Sequence, residues 1–171
     1  MIKFTSDKSQ ITNLWHDVFG DDEKYVDYFL YECKNKVCLG YFVDDILVSM
    51  LFLIDCKYLN YNGKYIYAVA TDREHRNKGY ASLLVNEAKK YMDDFLWLIP
   101  AEKSLFDYYS KLGFVTKLYS NSNFKNKIEF NESTKILLDL YEGSSFELPK
   151  GMIYSIKDLP EGDTGMILRG E

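Results

Sequence analysis

A short glycine-containing segment, Arg76 to Ala81, has the residue types and spacing of an anion-binding loop. The surrounding pattern predicts that it follows a strand and opens a helix, whose first N–H groups have no partner within the helix. Together with the helix dipole, these groups attract an anion. Gly79 and Ala81 let a ligand approach the backbone closely, and Arg76 and Lys78 add positive charge. Pyrophosphate is the ligand that this chemistry fits best.

Two common phosphate-binding loops do not match this segment. The Walker loop requires Gly followed by Lys and then Ser or Thr, whereas here Lys78 precedes Gly79. The dinucleotide fingerprint requires three glycines, and this loop contains one. The segment therefore represents another class of phosphate-binding sequence.

A second motif, one helix and one strand further on, accompanies the loop. Residues 67–81 resemble the acetyl-CoA loop of the GNAT superfamily of N-acetyltransferases, whose pattern Arg/Gln-x-x-Gly-x-Gly/Ala is matched by Arg76, Gly79 and Ala81. Residues 106–114, FDYYSKLGF, resemble the later motif of that family, in which an aromatic pair leads into Lys-Leu-Gly-Phe. The resemblance is good over residues 36–120, looser over residues 1–35, and poor in the tail.

The resemblance implies an enzyme that moves an acetyl group from its co-substrate, acetyl-CoA, directly to a primary amine of a small molecule in a ternary complex. It also implies that the strand before the loop, Ile66 to Thr71, splays from its neighbour and pairs with the pantetheine arm. The residues implied in cofactor binding are Val69, Ala70, Thr71, Arg76, Asn77, Lys78, Gly79, Tyr80, Ala81 and Tyr108.

Two groups are implied in catalysis, the backbone N–H of Val69 and the hydroxyl of Tyr109. The N–H would stabilise the oxyanion that forms when an amine attacks the thioester. The hydroxyl would hydrogen-bond or protonate the departing sulfur, because a thiol has a pKa of about 8.5 and a tyrosine about 10. In the alternative interpretation Tyr109 is a core residue whose hydroxyl merely finds a partner. The adjacent Tyr108 is a second candidate for the hydroxyl that faces the thioester.

Several groups are candidates to accept the proton of the amine. Residues 64–70 contain no acid and no His, and the loop residues Asp72, Glu74 and His75 are expected to face solvent or phosphate. His16 on the first helix is expected to be a surface residue. Asp55, a chain of waters, or the acidic turn Asp21-Asp22-Glu23 remain. The turn is also interpreted as a helix cap, with Asp21 as the N-cap residue.

Periodicity predicts an α/β fold, and the resemblance makes it a mixed, mostly antiparallel sheet with splayed central parallel strands, flanked by helices. Hairpin turns are expected at Asp44-Asp45 and Asn62-Gly63. Strands are predicted at residues 2–4, 37–43, 46–55, 64–70, 95–99, 114–118, 136–141 and 152–156, and helices at 11–19, after Asp21, at 79–92 and at 105–112. One domain spans residues 1–171, with a cofactor-binding core at about 36–120 and a segment 121–171 that completes the sheet, its last residues from Gly162 being loose.

Composition limits the partners. The net charge is −5 with a pI of about 5.1, and no dense Lys/Arg cluster indicates a nucleic-acid surface. The three cysteines lack the spacing of a zinc site or a disulfide framework, so no metal is expected. The polar start and the absence of a long apolar run predict a cytoplasmic protein away from membranes. Edge pairing in the tail suggests a homodimer.

Two other functions are compatible with the same motifs. The first is acetylation of a protein N-terminus or lysine, which requires an open groove for a peptide. The second is a non-catalytic acyl-CoA-binding module, which shares the loop but lacks a working amine site. Turnover distinguishes the module from the enzyme, because binding of the cofactor is common to both.

Overall fold

The computed structural model describes residues 1–120, 124–131 and 150–166. Its strands are β1 (Ile2–Thr5), β2 (Lys36–Val43), β3 (Ile46–Tyr58), β4 (Tyr61–Thr71), β5 (Phe95–Leu98), β6 (Val115–Tyr119), β7 (Lys127–Phe130), β8 (Lys150–Ser155) and β9 (Thr164–Met166). Its helices are α1 (Lys8–Phe19), α2 (Glu23–Glu32), α3 (Tyr80–Ala88) and α4 (Ser104–Lys111). No helix in these described ranges is long and apolar enough to cross a bilayer.

The strands form one mixed sheet in the order β1-β2-β3-β4-β5-β8-β6-β9-β7. Strands β1 to β4 are antiparallel neighbours, and β4 pairs with β5 in parallel across the crossover that contains α3. The predicted fold class, a mostly antiparallel sheet with a central parallel pair, is therefore confirmed. Strands β7, β8 and β9 of the C-terminal segment pair within this same sheet.

The sheet separates two hydrophobic clusters. Side chains alternate between the faces of a strand, so Tyr65 and Tyr67 of β4 belong to the cluster under α1 and α2, together with Trp15. Ile66 belongs to the cluster under α3 and α4, together with Tyr109. Groups on opposite faces of β4 thus come from consecutive residues.

Two local predictions were wrong. The N-cap of α2 is Asp22, whose carboxylate accepts the N–H of Tyr25 at 2.8 Å, and not Asp21. The second hairpin turns at residues 59–60, three positions before Asn62-Gly63, since Tyr58 already pairs with Tyr61. Gly63 lies inside β4, and a side chain at this position would overlap the ring of Phe95 on the next strand. Close packing between strands, and not turn geometry, explains this glycine.

Other differences concern element ends. The predicted helix 79–92 is α-helical only to Ala88 and then tightens into a 3₁₀ turn, Lys89–Tyr91. The end of the chain, expected to be loose from Gly162, contains the buried strand β9. The predicted strand at 136–141 lies outside the described residues.

Candidate active site

Strands β4 and β5 pair only at their beginnings. The parallel register runs from Gly63 opposite Phe95 to Tyr65 opposite Trp97. Beyond this point, within the described part of the chain, β4 continues to Thr71 with β3 as its only neighbour, while β5 ends at Leu98. The splay expected along this strand is therefore present from Ile66 onward.

A cleft of about 300 Å³ opens where the two strands separate. Tyr65 and Tyr67 line it from the α1–α2 face, and Ile66 and Val69 line it from the α3–α4 face. Because residues of both faces border the same cleft, it passes through the sheet. Two molecules entering from opposite faces would meet between β4 and β5.

A bulge in β4 directs Val69 towards the α3–α4 face. Opposite β3, Tyr67 pairs with Phe52 and Ala70 with Met50, so β4 contains an extra residue. Ala68 takes it up with a left-handed φ of 52°. Alanine rarely adopts this conformation, and the sequence carries no bulge signal at this position.

The chain between β4 and α3 is fixed by its own side chains. Asp72 caps a 3₁₀ turn, Arg73–His75, by accepting the Glu74 N–H, and its Oδ2 lies 2.7 Å from Nδ1 of His75. The hydrogen bond with His75 holds the pKa of Asp72 below its usual value. Arg76 Nε donates to the carbonyl oxygen of Thr71 at 3.3 Å. Asp72 and His75 thus hold the loop through their contact with each other.

Gly79 begins α3 with a left-handed φ of 78°, and no side chain of the described residues caps this helix end. A Cβ at Gly79 would point into open space. The first turn, Tyr80-Ala81-Ser82, contains no acid. Asn77 is also left-handed, with a φ of 60°, which asparagine tolerates better than most residues. The amides at this end remain available to an anion.

The remaining predicted cofactor residues have defined surroundings. The ring of Tyr80 stacks on Tyr41, with centroids 4.1 Å apart, and lies 6.4 Å from the ring of His75 in the loop. The Thr71 hydroxyl lies 2.8 Å from that of Ser49. Ala70 is buried, while Asn77 and Lys78 are exposed.

The two adjacent tyrosines of α4 have different environments. Tyr109 is buried and lines the same cleft as Val69. The hydroxyl of Tyr108 lies 2.7 Å from that of Ser82 in the first turn of α3. The structure thus places Tyr109 and Val69 on the same cleft and Tyr108 on the side of the anion loop.

Of the predicted acids, Asp21 is the one that borders the cleft. Its Oδ2 accepts a hydrogen bond from Nε1 of Trp15 at 2.8 Å. Asp55 is instead paired with Lys64 at 2.6 Å, and Asp22 is occupied as a helix cap. Sequence analysis assigned the capping role to the wrong member of the Asp21-Asp22 pair and overlooked Trp15 as a site residue. No local signal distinguishes the two carboxylates.

Comparisons with known proteins agree with this geometry. The model of the acetyltransferase (GNAT) domain family matches residues 4–116. No curated protein matches the chain. A solved aminoglycoside 6'-acetyltransferase type Ii is similar with a TM-score of 0.64 at 16% identity, over 94% of this chain and 99% of that one. An aminoglycoside 6'-N-acetyltransferase complexed with coenzyme A reaches 0.63 at 15% identity, over 94% and 99%.

A Bacillus subtilis acetyltransferase in complex with CoA has a TM-score of 0.62 at 13% identity, over 91% of this chain and 98% of that one. At these identities the structures support the fold, whereas the family model covers most of the chain and supports the enzyme class. The match confirms the predicted acetyltransferase with acetyl-CoA as co-substrate, and the chain belongs to the GNAT family of acetyltransferases.

Proposed function

We propose that the protein transfers the acetyl group of acetyl-CoA to a primary amine of a small molecule, directly and in a ternary complex. The observation that carries this proposal is the cleft through the sheet between β4 and β5. A thioester from the α3–α4 face and an amine from the α1–α2 face can meet inside it. Such an arrangement needs no covalent enzyme intermediate.

Coenzyme A has a continuous path along the chain. The pyrophosphate would lie on the amides of residues 76–81, at the uncapped start of α3. The pantetheine arm would pair with Val69 and Thr71, which lie on the stretch of β4 that does not pair with β5 in the described structure. Because the loop directly follows this strand, one molecule can contact both.

The chemistry follows from the groups along the cleft. The acceptor nitrogen, an ammonium at neutral pH, first gives up one proton to water. The neutral amine then attacks the thioester carbon, and the carbonyl oxygen takes up negative charge beside the Val69 N–H. The tetrahedral intermediate expels the sulfur as the C–S bond breaks, and Tyr109 donates a hydrogen bond or its proton to that sulfur. The nitrogen releases its proton to water, which leaves an amide and free coenzyme A.

The size of the cleft supports a small acceptor. A volume of about 300 Å³ is at the lower end of the range for small-molecule pockets. Two of the similar solved structures are named as aminoglycoside acetyltransferases, so an acceptor other than a protein is compatible with this fold.

A two-step experiment tests the proposal. Thermal unfolding is measured with acetyl-CoA and with coenzyme A, since a ligand at 100 times its Kd stabilises by about 2.7 kcal/mol. Thiol release is then followed with a panel of small amines and with a peptide that has a free N-terminus. No stabilisation at millimolar ligand overturns the cofactor site. Stabilisation without turnover on any acceptor indicates the binding module, and turnover on the peptide alone indicates a peptide acetyltransferase.

A cytoplasmic location and a homodimer belong to the same proposal. The three cysteines are buried as free thiols, which suits a reducing compartment. Sedimentation velocity measures the oligomeric state, and a monomer at micromolar concentration would contradict the dimer.

A further inference from the structure

The part of the cleft on the α1–α2 face is walled by aromatic rings. We call this part the aromatic half-cleft and define it by Trp15, Phe19, Tyr65 and Tyr67. Trp15 is in ring contact with Phe19 and with Tyr67, with centroids 5.8 Å apart in each case, and Tyr65 lies 5.8 Å from Tyr67. Trp15 is 1% exposed and Phe19 44% exposed, so the half-cleft runs from an open aromatic rim to a buried floor.

One carboxylate, that of Asp21, borders this cleft in the described part of the chain. Its Oδ2 accepts the indole N–H of Trp15, while Oδ1 receives no hydrogen bond from any described residue. None of the described Lys or Arg side chains forms an ion pair with it. The carboxylate therefore has an oxygen available to a cation.

The chain on both sides holds Asp21 in position. Gly20 ends α1 in a left-handed conformation, and Asp22 caps α2. The backbone oxygen of Asp21 also lies 3.0 Å from Nδ1 of His16. Because Asp22 does the capping, the side chain of Asp21 has no role in ending or starting a helix. Its side-chain hydrogen bond within the described protein, from Trp15, orients it towards the rings.

We infer that the acceptor is a monoamine with an aromatic or apolar body, whose ammonium group pairs with Asp21 and whose body lies against the aromatic half-cleft. This inference rests on the proposed acetyl transfer. Aromatic faces attract a cation and bury apolar surface at the same time. An amine of this kind satisfies the single carboxylate and the rings together.

Polyhydroxylated or polycationic amines fit less well. Each hydroxyl of an amino sugar that enters an aromatic wall loses water and needs a new partner. The Tyr67 hydroxyl is already 2.8 Å from that of Tyr25. A second ammonium group finds no second carboxylate among the described residues of the cleft. The acceptor class therefore differs from that named for the similar aminoglycoside acetyltransferases.

A substrate comparison tests the inference with acetyl-CoA at saturation. We expect kcat/KM for 2-phenylethylamine to exceed that for ethanolamine at least about tenfold, because the ring buries apolar area that the hydroxyl does not. Spermidine and kanamycin should also fall about tenfold or more below 2-phenylethylamine. If ethanolamine, spermidine or kanamycin is acetylated as efficiently as 2-phenylethylamine, the inference is overturned while acetyl transfer stands.

A pair of variants tests the role of Asp21. Asp21→Asn removes the charge but keeps an oxygen for the Trp15 N–H, so the fold is preserved. Asp22→Asn removes the same charge one residue away and keeps a good N-cap. We expect KM for 2-phenylethylamine to rise about tenfold or more in Asp21→Asn, with acetyl-CoA affinity unchanged, and to stay within about twofold in Asp22→Asn. Equal KM values in the two variants would overturn the assignment.

Binding separates failure of this inference from failure of the proposed function. Calorimetric titration of the coenzyme A complex with 2-phenylethylamine, and with uncharged 2-phenylethanol, needs no turnover. Binding of the amine alone, lost in Asp21→Asn, together with no thiol release from any amine, supports the acceptor site and overturns acetyl transfer. Binding of neither compound, or equal binding of both, overturns the acceptor site.

Discussion

The hydroxyl of Tyr108 lies 2.7 Å from the hydroxyl of Ser82, and this hydrogen bond ties α4 to the first turn of α3. The next residue, Tyr109, lines the same cleft as Val69. Consecutive residues of a helix point about 100° apart, so the two rings, 5.0 Å apart, serve different surfaces. Their substitutions should have different effects.

Tyr109→Phe is expected to lower kcat about a hundredfold while the Kd for acetyl-CoA stays within about twofold. The reason is that a hydrogen bond or proton to the sulfur matters only as the C–S bond breaks. Single-turnover thiol release and calorimetric titration measure the two quantities. An unchanged kcat would mean that Tyr109 is a core residue with no part in the reaction.

Tyr108→Phe and Ser82→Ala should each destabilise the protein by about 1 kcal/mol, because each removes one partner of the same hydrogen bond. The double variant should be no less stable than the worse single variant. Urea unfolding of the four proteins gives the coupling energy. Fully additive effects would show that the two hydroxyls do not interact in solution.

Gly79→Glu should weaken coenzyme A binding at least about tenfold, because it brings a negative charge to the start of α3. Gly162→Glu is the matched control, since both glycines have left-handed φ values, 78° and 99°, and open space where a Cβ would lie. Both variants carry similar backbone strain, but position 162 is outside the proposed cofactor path. If both weaken binding equally, strain and not charge is responsible.

Ala68→Gly should be close to neutral or slightly stabilising, whereas Ala68→Val should lose about 1–2 kcal/mol, because a β-branched residue resists the left-handed φ of the bulge. The valine variant should also lose turnover, since the bulge aims Val69 at the cleft. Thermal unfolding and thiol release report on the two effects. A valine variant as stable and active as the parent would show that the bulge is not needed.

The cysteines should resist thiol reagents in the native protein. Burial raises the pKa of Cys33 to about 11 and the pKa of Cys38 and Cys56 to about 12, so at pH 8 the reactive thiolate is scarce. A disulfide reagent should label the protein slowly at pH 8, and three thiols rapidly after unfolding. Rapid native labelling would contradict the burial.

The same pKa direction has a consequence for stability. The pKa of Cys33 is about 11 in the folded protein, whereas 9.0 is usual for a thiol. Its contribution to the free energy of unfolding is therefore complete below pH 9 and is lost as the pH rises towards 11. Urea unfolding should therefore show falling stability above pH 9. Replacing Cys33 by Ala should flatten part of this slope.

Residue order alone was sufficient for the features that depend on near neighbours. The anion loop at Arg76 to Ala81 is a local motif, in which charge, a left-handed glycine and the start of a helix lie within a few residues. The helices α1 to α4 and the strands β2 to β5 follow from hydrophobic periodicity, which also acts over short distances. For this reason the fold class and the enzyme family could be predicted before any coordinates.

The tertiary structure decided which of two neighbouring residues of the same type has a given role, because contacts with residues far along the chain place them differently. Asp21 and Asp22 look equivalent in the sequence, and only the packing of Trp15 against β4 directs one of them into the cleft. Tyr108 and Tyr109 also look equivalent in the sequence, and they differ in the structure because the Tyr108 hydroxyl lies next to Ser82 on another helix. Side-chain type sets which chemistry is possible, whereas the direction of each group depends on elements that meet only after the chain has folded.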